Sequence, residues 1–182
     1  MTPMFGPALR QPDQRSCGAA CVVVAQILAD GSAGRDDRRL AAAFGLQVLE
    51  AHRRLTGLGG ITGRTQLPWP RALGTPPWAV AGALGAIHGV DYRSSLARWD
   101  RSDAFDRALT AAARHPVALY VGSPTLPRHV VLAVSAVEPG TDALRCYDPA
   151  NGRLVTVTRQ AFADATLRLG GWPMPWFVVA PR

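Results

Sequence analysis

No lysine occurs in this chain: all 20 of its basic residues are arginine. Against 13 acidic residues they leave a net charge of +7. The arginines are scattered, with Arg38-Arg39 and Arg53-Arg54 the adjacent pairs, and no interleaved aromatics or nucleic-acid motif accompany them. No nucleic acid is therefore expected as a partner. The plain source of this balance is GC-rich coding, which also favours Ala, Gly and Pro. Its functional reading is a cationic surface that steers an acidic protein partner.

Cysteine is scarce too. Cys17, Cys21 and Cys146 are odd in number and lack zinc spacing, and the four histidines are dispersed. A disulfide framework, a metal and a cofactor are all unexpected, which suits a reducing compartment. No run reaches the roughly 18–20 apolar residues of a spanning helix. Met1 to Arg10 hold two prolines and no apolar h-region, against a Sec-type signal. The expected location is the cytoplasm, or a target cell reached by secretion without such a signal.

What is present suits one α+β domain over 1–182, with a helical front half (about 17–115) and a sheet half (about 116–182). A helix is predicted from Cys17 to about Asp30. A second starts at Asp36-Asp37 with Leu40, Phe44, Leu46, Val48, Leu49 and Leu55 as an imperfect stripe and its arginine pairs solvated. Residues 57–74, rich in Gly, Thr and Pro, read as an irregular loop or subsite rim. Thr75-Pro76-Pro77 starts a helix to about His88, which reads as its C-terminal dipole partner. Val90 to Leu96 reads as an edge strand, and Ser102-Asp103 as the cap of a helix over Ala104–Arg114. Strands follow at 116–122, 128–137, 143–147 and 153–157, then a short helix at 159–167 and a strand at 176–180 that closes the sheet. Cys21, Cys146, His52 and His115 read as structural. Trp69, Trp78, Trp172 and Trp176 stand beside Pro or Gly, as groove or inhibitor-interface candidates or plain rim packing.

Four residues carry chemistry. Cys17 opens an apolar helix behind Ser16, a good N-cap, where free backbone N–H groups favour a thiolate. Gly18 and two alanines leave the sulfur uncrowded. Gln11, six residues ahead, offers an amide to a developing oxyanion. His129 stands at the mouth of a strand, and Asp148-Pro149 ends the next. An antiparallel pair joined by 138–142 would bring His129 and Asp148 side by side, as a Cys–His–carboxylate relay requires. Each has a plainer reading: a buried core cysteine, a strand-end histidine, a turn-starting Asp-Pro.

In these stretches, Gln11–x5–Cys17-Gly-Ala-Ala-Cys21, His129-Val-Val-Leu132 and Asp148-Pro149, the chain resembles the papain-like bacteriocin-processing peptidases, which cleave after a Gly-Gly pair. Ser16 departs from that family, where aspartate is frequent. The resemblance implies a papain-like fold, Cys17 as nucleophile, His129 as general base, Asp148 as its orienting partner, Gln11 as oxyanion-hole donor, and a protein or peptide substrate cut after small residues. That family's domain is commonly fused to a membrane transporter, and no such fusion is read here. With the missing lysine and the cationic balance, this raises the expectation of a delivered bacterial effector or toxin restrained by an acidic immunity protein. The same triad serves an acyltransferase, transglutaminase or deamidase, and an inert peptide-binding relative is the non-enzymatic alternative.

Overall fold

The computed structural model describes residues 5–31, 37–59, 63, 65–138 and 140–182, with Pro7 and 37–41 as backbone only. Asp36, the Arg38-Arg39 pair, the Leu40 side chain and positions 60–62 and 64 of the predicted 57–74 loop thus lie outside the described residues. The helices are α1 (Cys17–Ala29), α2 (Asp37–Thr56), α3 (Pro77–His88), α4 (Arg101–Ala112) and α5 (Arg159–Ala163). The strands are β1 (Tyr92–Leu96), β2 (Val117–Gly122), β3 (Pro127–Ala136), β4 (Ala143–Asp148), β5 (Arg153–Thr158) and β6 (Met174–Pro181). Short 3₁₀ turns cover Pro7–Leu9 and Arg71–Leu73.

All six strands form one antiparallel sheet in the order β1-β6-β2-β3-β4-β5. Helices cover both faces. Ala118, Tyr120, Leu132 and Tyr147 join α1, α2 and α3 in one core, while Leu119, Val131, Cys146 and Leu144 join α4 and α5 in another. This two-sided burial explains why β2 reads as an unbroken apolar run rather than an alternating one. The expected α+β architecture, with the Cys17 helix packed on an antiparallel sheet, is present.

Several local expectations are corrected. α2 buries Phe44, Val48, Ala51 and Leu55, a seam at helical spacing, whereas Leu46 and Leu49 point outward. Arg53 and Arg54 are solvated and pair with Glu50. The cap of α4 is Asp100, which accepts from the Asp103 N–H at 3.3 Å, so the helix starts earlier than Ser102-Asp103 implies. α5 ends at Ala163, because Ala165 turns into the left-handed region at φ 55°. β6 completes the sheet from within, between β1 and β2, a position the sequence reading left open, and β1 and β5 are the edges.

The chain before α1 is strapped across the β4–β5 turn. The Gln11 N–H donates to the Pro149 carbonyl at 2.9 Å, and the Tyr147 hydroxyl donates to the Leu9 carbonyl. The strap lies so close to Gly152 that a Cβ there would overlap Gly6 O and approach Arg10 N to 2.9 Å. With φ at 73°, only glycine suits that turn. Gly152→Ala is expected to cost roughly 1–3 kcal/mol, lowering Tm by about 3–10 °C in a thermal melt; an unchanged Tm would mean the strap is not held at this turn.

Candidate active site

Cys17 is the first residue of α1, where the backbone N–H groups have no intrahelical partner. Ser16 holds the N-cap position, but its backbone (φ −94°, ψ 15°) lacks the extended geometry of a capping residue and its hydroxyl caps nothing. Asp13 does the local ordering: its Oδ1 accepts the N–H groups of Arg15 and Ser16, each at 2.8 Å. Sequence reasoning missed Asp13, although an aspartate two residues before Arg15 has the spacing of an Asx turn. Burial opposes its ionisation, yet the bonds from Arg15 and Ser16 hold its carboxyl below the ordinary range.

The β3–β4 pair brings His129 and Asp148 together as expected. His129 Nε2 lies 2.7 Å from Asp148 Oδ1, with both residues buried. Cys17 lines the same cleft, and its side chain is near enough to the imidazole to favour the charged form. With Nε2 committed to Asp148, Nδ1 is the nitrogen left for the thiol. Asp148 is further held by the Ala150 N–H on Oδ1 and the Gly170 N–H on Oδ2, each at 3.0 Å. Burial favours neutral His129, but Asp148 and Cys17 more than offset it and raise its pKa to about 9. Burial likewise works against the Asp148 carboxylate, yet His129, Ala150 and Gly170 hold its pKa below the usual value.

Gly170 is a site residue that sequence reading missed. At φ 55° it lies against the imidazole, where a Cβ would stand 2.7 Å from His129 Cδ2. It therefore covers the base and donates to its carboxylate partner. The one sequence signal was the Gly170-Gly171 pair before Trp172.

Gln11 lines the same cleft as Cys17 and His129. Its Nε2 donates to the Asp13 carbonyl at 2.5 Å, which occupies one of two N–H groups. Its Oε1 is buried without a partner. The space that Gly18 opens at the start of α1 is not empty: Thr75 fills it, 2.8 Å from where a Gly18 Cβ would sit. Thr75 is itself fixed by His52 Nδ1 at 3.2 Å and by the Tyr120 hydroxyl on its carbonyl at 2.8 Å. His52 is thus structural, with its pKa lowered chiefly by burial. His88 stands in the last turn of α3 as expected, and burial and His115, whose ring lies 5.7 Å away edge-on, keep its pKa below the ordinary value. Cys21 donates to the Val130 carbonyl, Cys146 is buried in the opposite core, and all three cysteines are free.

The cleft is open and holds about 1270 Å³. Trp69, Trp78, Trp172 and Trp176 all line it, with Trp69 edge-on to Trp78 at 5.1 Å. No group of three or more His, Cys, Asp or Glu that could hold a metal ion occurs among the described residues, and none of their helices is long and apolar enough to cross a membrane. The arrangement offers a nucleophile, a base oriented by a carboxylate, and an amide beside them.

Both shifts make folding pH-dependent. The His129 pKa is about 9 when folded and 6.5 unfolded, so its contribution is complete below 6.5 and lost as pH rises through 9. Asp148 is depressed from 3.8, so its contribution is present above that value and lost as pH falls below it. Tm should therefore hold between about pH 5 and 6.5 and fall on both sides, the alkaline fall between 6.5 and 9 shrinking in His129→Gln. A wild-type and variant that lose stability identically between pH 6.5 and 9 would contradict the assigned pairing.

No family model and no curated protein matches the sequence. Among solved structures, the chain is similar to the peptidase domain of Streptococcus ComA, a bifunctional ABC transporter involved in quorum sensing, at 15% identity over 95% of this chain and 96% of that one, with a TM-score of 0.44. The peptidase domain of Streptococcus mutans ComA is similar at 16% identity over 94% and 97%, TM-score 0.44. The Pseudomonas avirulence protein AvrPphB is similar at 11% identity over 92% and 90%, TM-score 0.49. These likenesses are distant, and the chemistry of the site stands on its own geometry.

Proposed function

We propose that the chain is a cysteine peptidase working through Cys17, His129 and Asp148. The observation that carries this is one buried imidazole bonded to a buried carboxylate and sharing a cleft with a thiol at a helix start. In the first step the Cys17 sulfur attacks the carbonyl carbon of a peptide bond; the C–S bond forms as the C=O π pair moves onto oxygen. Gln11 and the Cys17 backbone N–H donate to that oxyanion. As the oxyanion collapses, the C–N bond breaks and the protonated His129 gives its proton to the departing amine. Water then adds to the thioester with His129 taking its proton. The C–S bond breaks, releasing a carboxylic acid and restoring the thiolate–imidazolium pair. Asp148 holds the ring orientation throughout.

Cleavage after a Gly-Gly pair, as the family resemblance implies, belongs to this reading. So does service as a delivered effector restrained by an acidic immunity protein, which rests on the cationic balance.

The thiol can be tested without a substrate. Brief, limiting iodoacetamide at about pH 6, read by intact mass, should give one fast adduct that is absent from Cys17→Ala, because thiols outside activating surroundings react slowly there. A fast adduct persisting without Cys17 would remove it as nucleophile. On Gly-Gly peptides, Cys17→Ala and His129→Ala are expected to lose roughly 10³-fold or more, and Gln11→Ala about 10²-fold. Full turnover by Cys17→Ala would sink the assignment. The alkaline limb of kcat/KM should lie near pH 9, where His129 loses its proton. Asp148→Asn removes the charge that favours the imidazolium, so the limb should move to lower pH; a limb that stays in place would separate Asp148 from the base.

A further inference from the structure

Three exposed arginines line the cleft: Arg10, Arg15 and Arg128. Among the described residues none of their guanidiniums pairs with a carboxylate. Outside the cleft lining, Arg53, Arg54, Arg107, Arg159 and Arg182 are each bound to an acidic side chain, while others such as Arg114 and Arg145 have no carboxylate partner among the described residues; what sets Arg10, Arg15 and Arg128 apart is that they share one concavity. One acid lines the cleft, Asp13, and its Oδ1 already accepts the N–H groups of Arg15 and Ser16, leaving three cations to one anion. A concave site with one prevailing sign of charge concentrates field lines and attracts the opposite sign.

Two of the three arginines, Arg128 and Arg10, also have a side. Arg128 immediately precedes His129, the residue that hands a proton to the departing amine, so the segment being released passes its flank. Arg10 adjoins Gln11, whose N–H is bonded to Pro149 in the turn following Asp148. That places the strap, and Arg10 with it, on the His129–Asp148 side of the cleft. Arg15 stands two residues before the nucleophile. The exposed apolar lining is Leu73 and Trp78, with Leu126 two residues before Arg128.

We infer that the cleft selects acidic residues in the first few positions on the amine side of the scissile bond. This rests on the peptidase reading above and adds the chemistry of the released segment to it. A guanidinium fork takes a carboxylate through two parallel N–H bonds, a match that lysine could not supply. Three such pairs at a half-open rim should together raise kcat/KM roughly 10- to 100-fold at low ionic strength.

The experiment is cleavage of a peptide library randomised on both sides of the cut, read by mass spectrometry, with Cys17→Ala as the blank. Asp and Glu should be enriched on the amine side, and the advantage should shrink from about 50 to about 500 mM salt. The combined Arg10→Glu, Arg15→Glu and Arg128→Glu variant should reverse the preference toward basic residues. Arg114→Glu, a charge change outside the cleft lining, should leave it as in the wild type. Cys17-dependent cleavage without acidic enrichment on that side, or with enrichment of Lys and Arg, would overturn the inference while leaving the peptidase reading intact. Absence of any Cys17-dependent cleavage would overturn both. If the triple variant fails to fold, the wild-type profile alone decides.

Discussion

The hydrogen bond between His129 and Asp148 is the constraint around which the rest of this molecule is arranged. A buried carboxylate is costly unless each lone pair is satisfied, and here three donors from three places in the chain converge on it. The imidazole comes from β3, the Ala150 N–H from the turn after β4, and the Gly170 N–H from the segment before β6. Each donor ties its own element to the next, so the β4–β5 turn and the approach to β6 are held by the same two oxygens. The strap carrying Gln11 then docks on that turn through Pro149 and the close approach at Gly152.

The other half of the site depends on packing. α1 is apolar nearly all round, because it is sandwiched by α2, α3 and the sheet rather than lying on a surface. Cys21 and Val24 anchor it in the core, and Thr75 braces its first turn through a network ending at Tyr120 and His52. Cys17 therefore sits on a rigid element, and His129 on another. Their mutual geometry follows from side-chain volumes in the core between them.

How much of this could be read from the residues depends on the range of the interaction. The start of α1, the β3–β4 pair and the meeting of His129 with Asp148 were legible, because they follow from local signals: a helix-opening Cys17 and two apolar runs joined by a short turn. The capping of α4 by Asp100 rather than Ser102 was a local misreading by two residues. Gly170 and the interior place of β6 were not legible at all. Both are settled by contacts with distant partners, the His129 ring in one case and β1 with β2 in the other. The α2 stripe was half legible: Phe44, Val48 and Leu55 follow the helical period, and Leu46 and Leu49 fooled a reading by hydrophobicity alone.

The interior position of β6 has a consequence for how the molecule comes into being. β1 and β2 are synthesised early, yet their only bridge within the sheet, among the described residues, is a strand made last. A nascent chain that already exposes Cys17, His129 and Asp148 still lacks the Gly170 cover on the imidazole and the middle of its own sheet. Closing that gap is a long-range event and hence a slow one. His129 and Asp148 can already meet on the β3–β4 pair, but the Gly170 cover over the imidazole and the middle of the sheet both wait for the segment around β6.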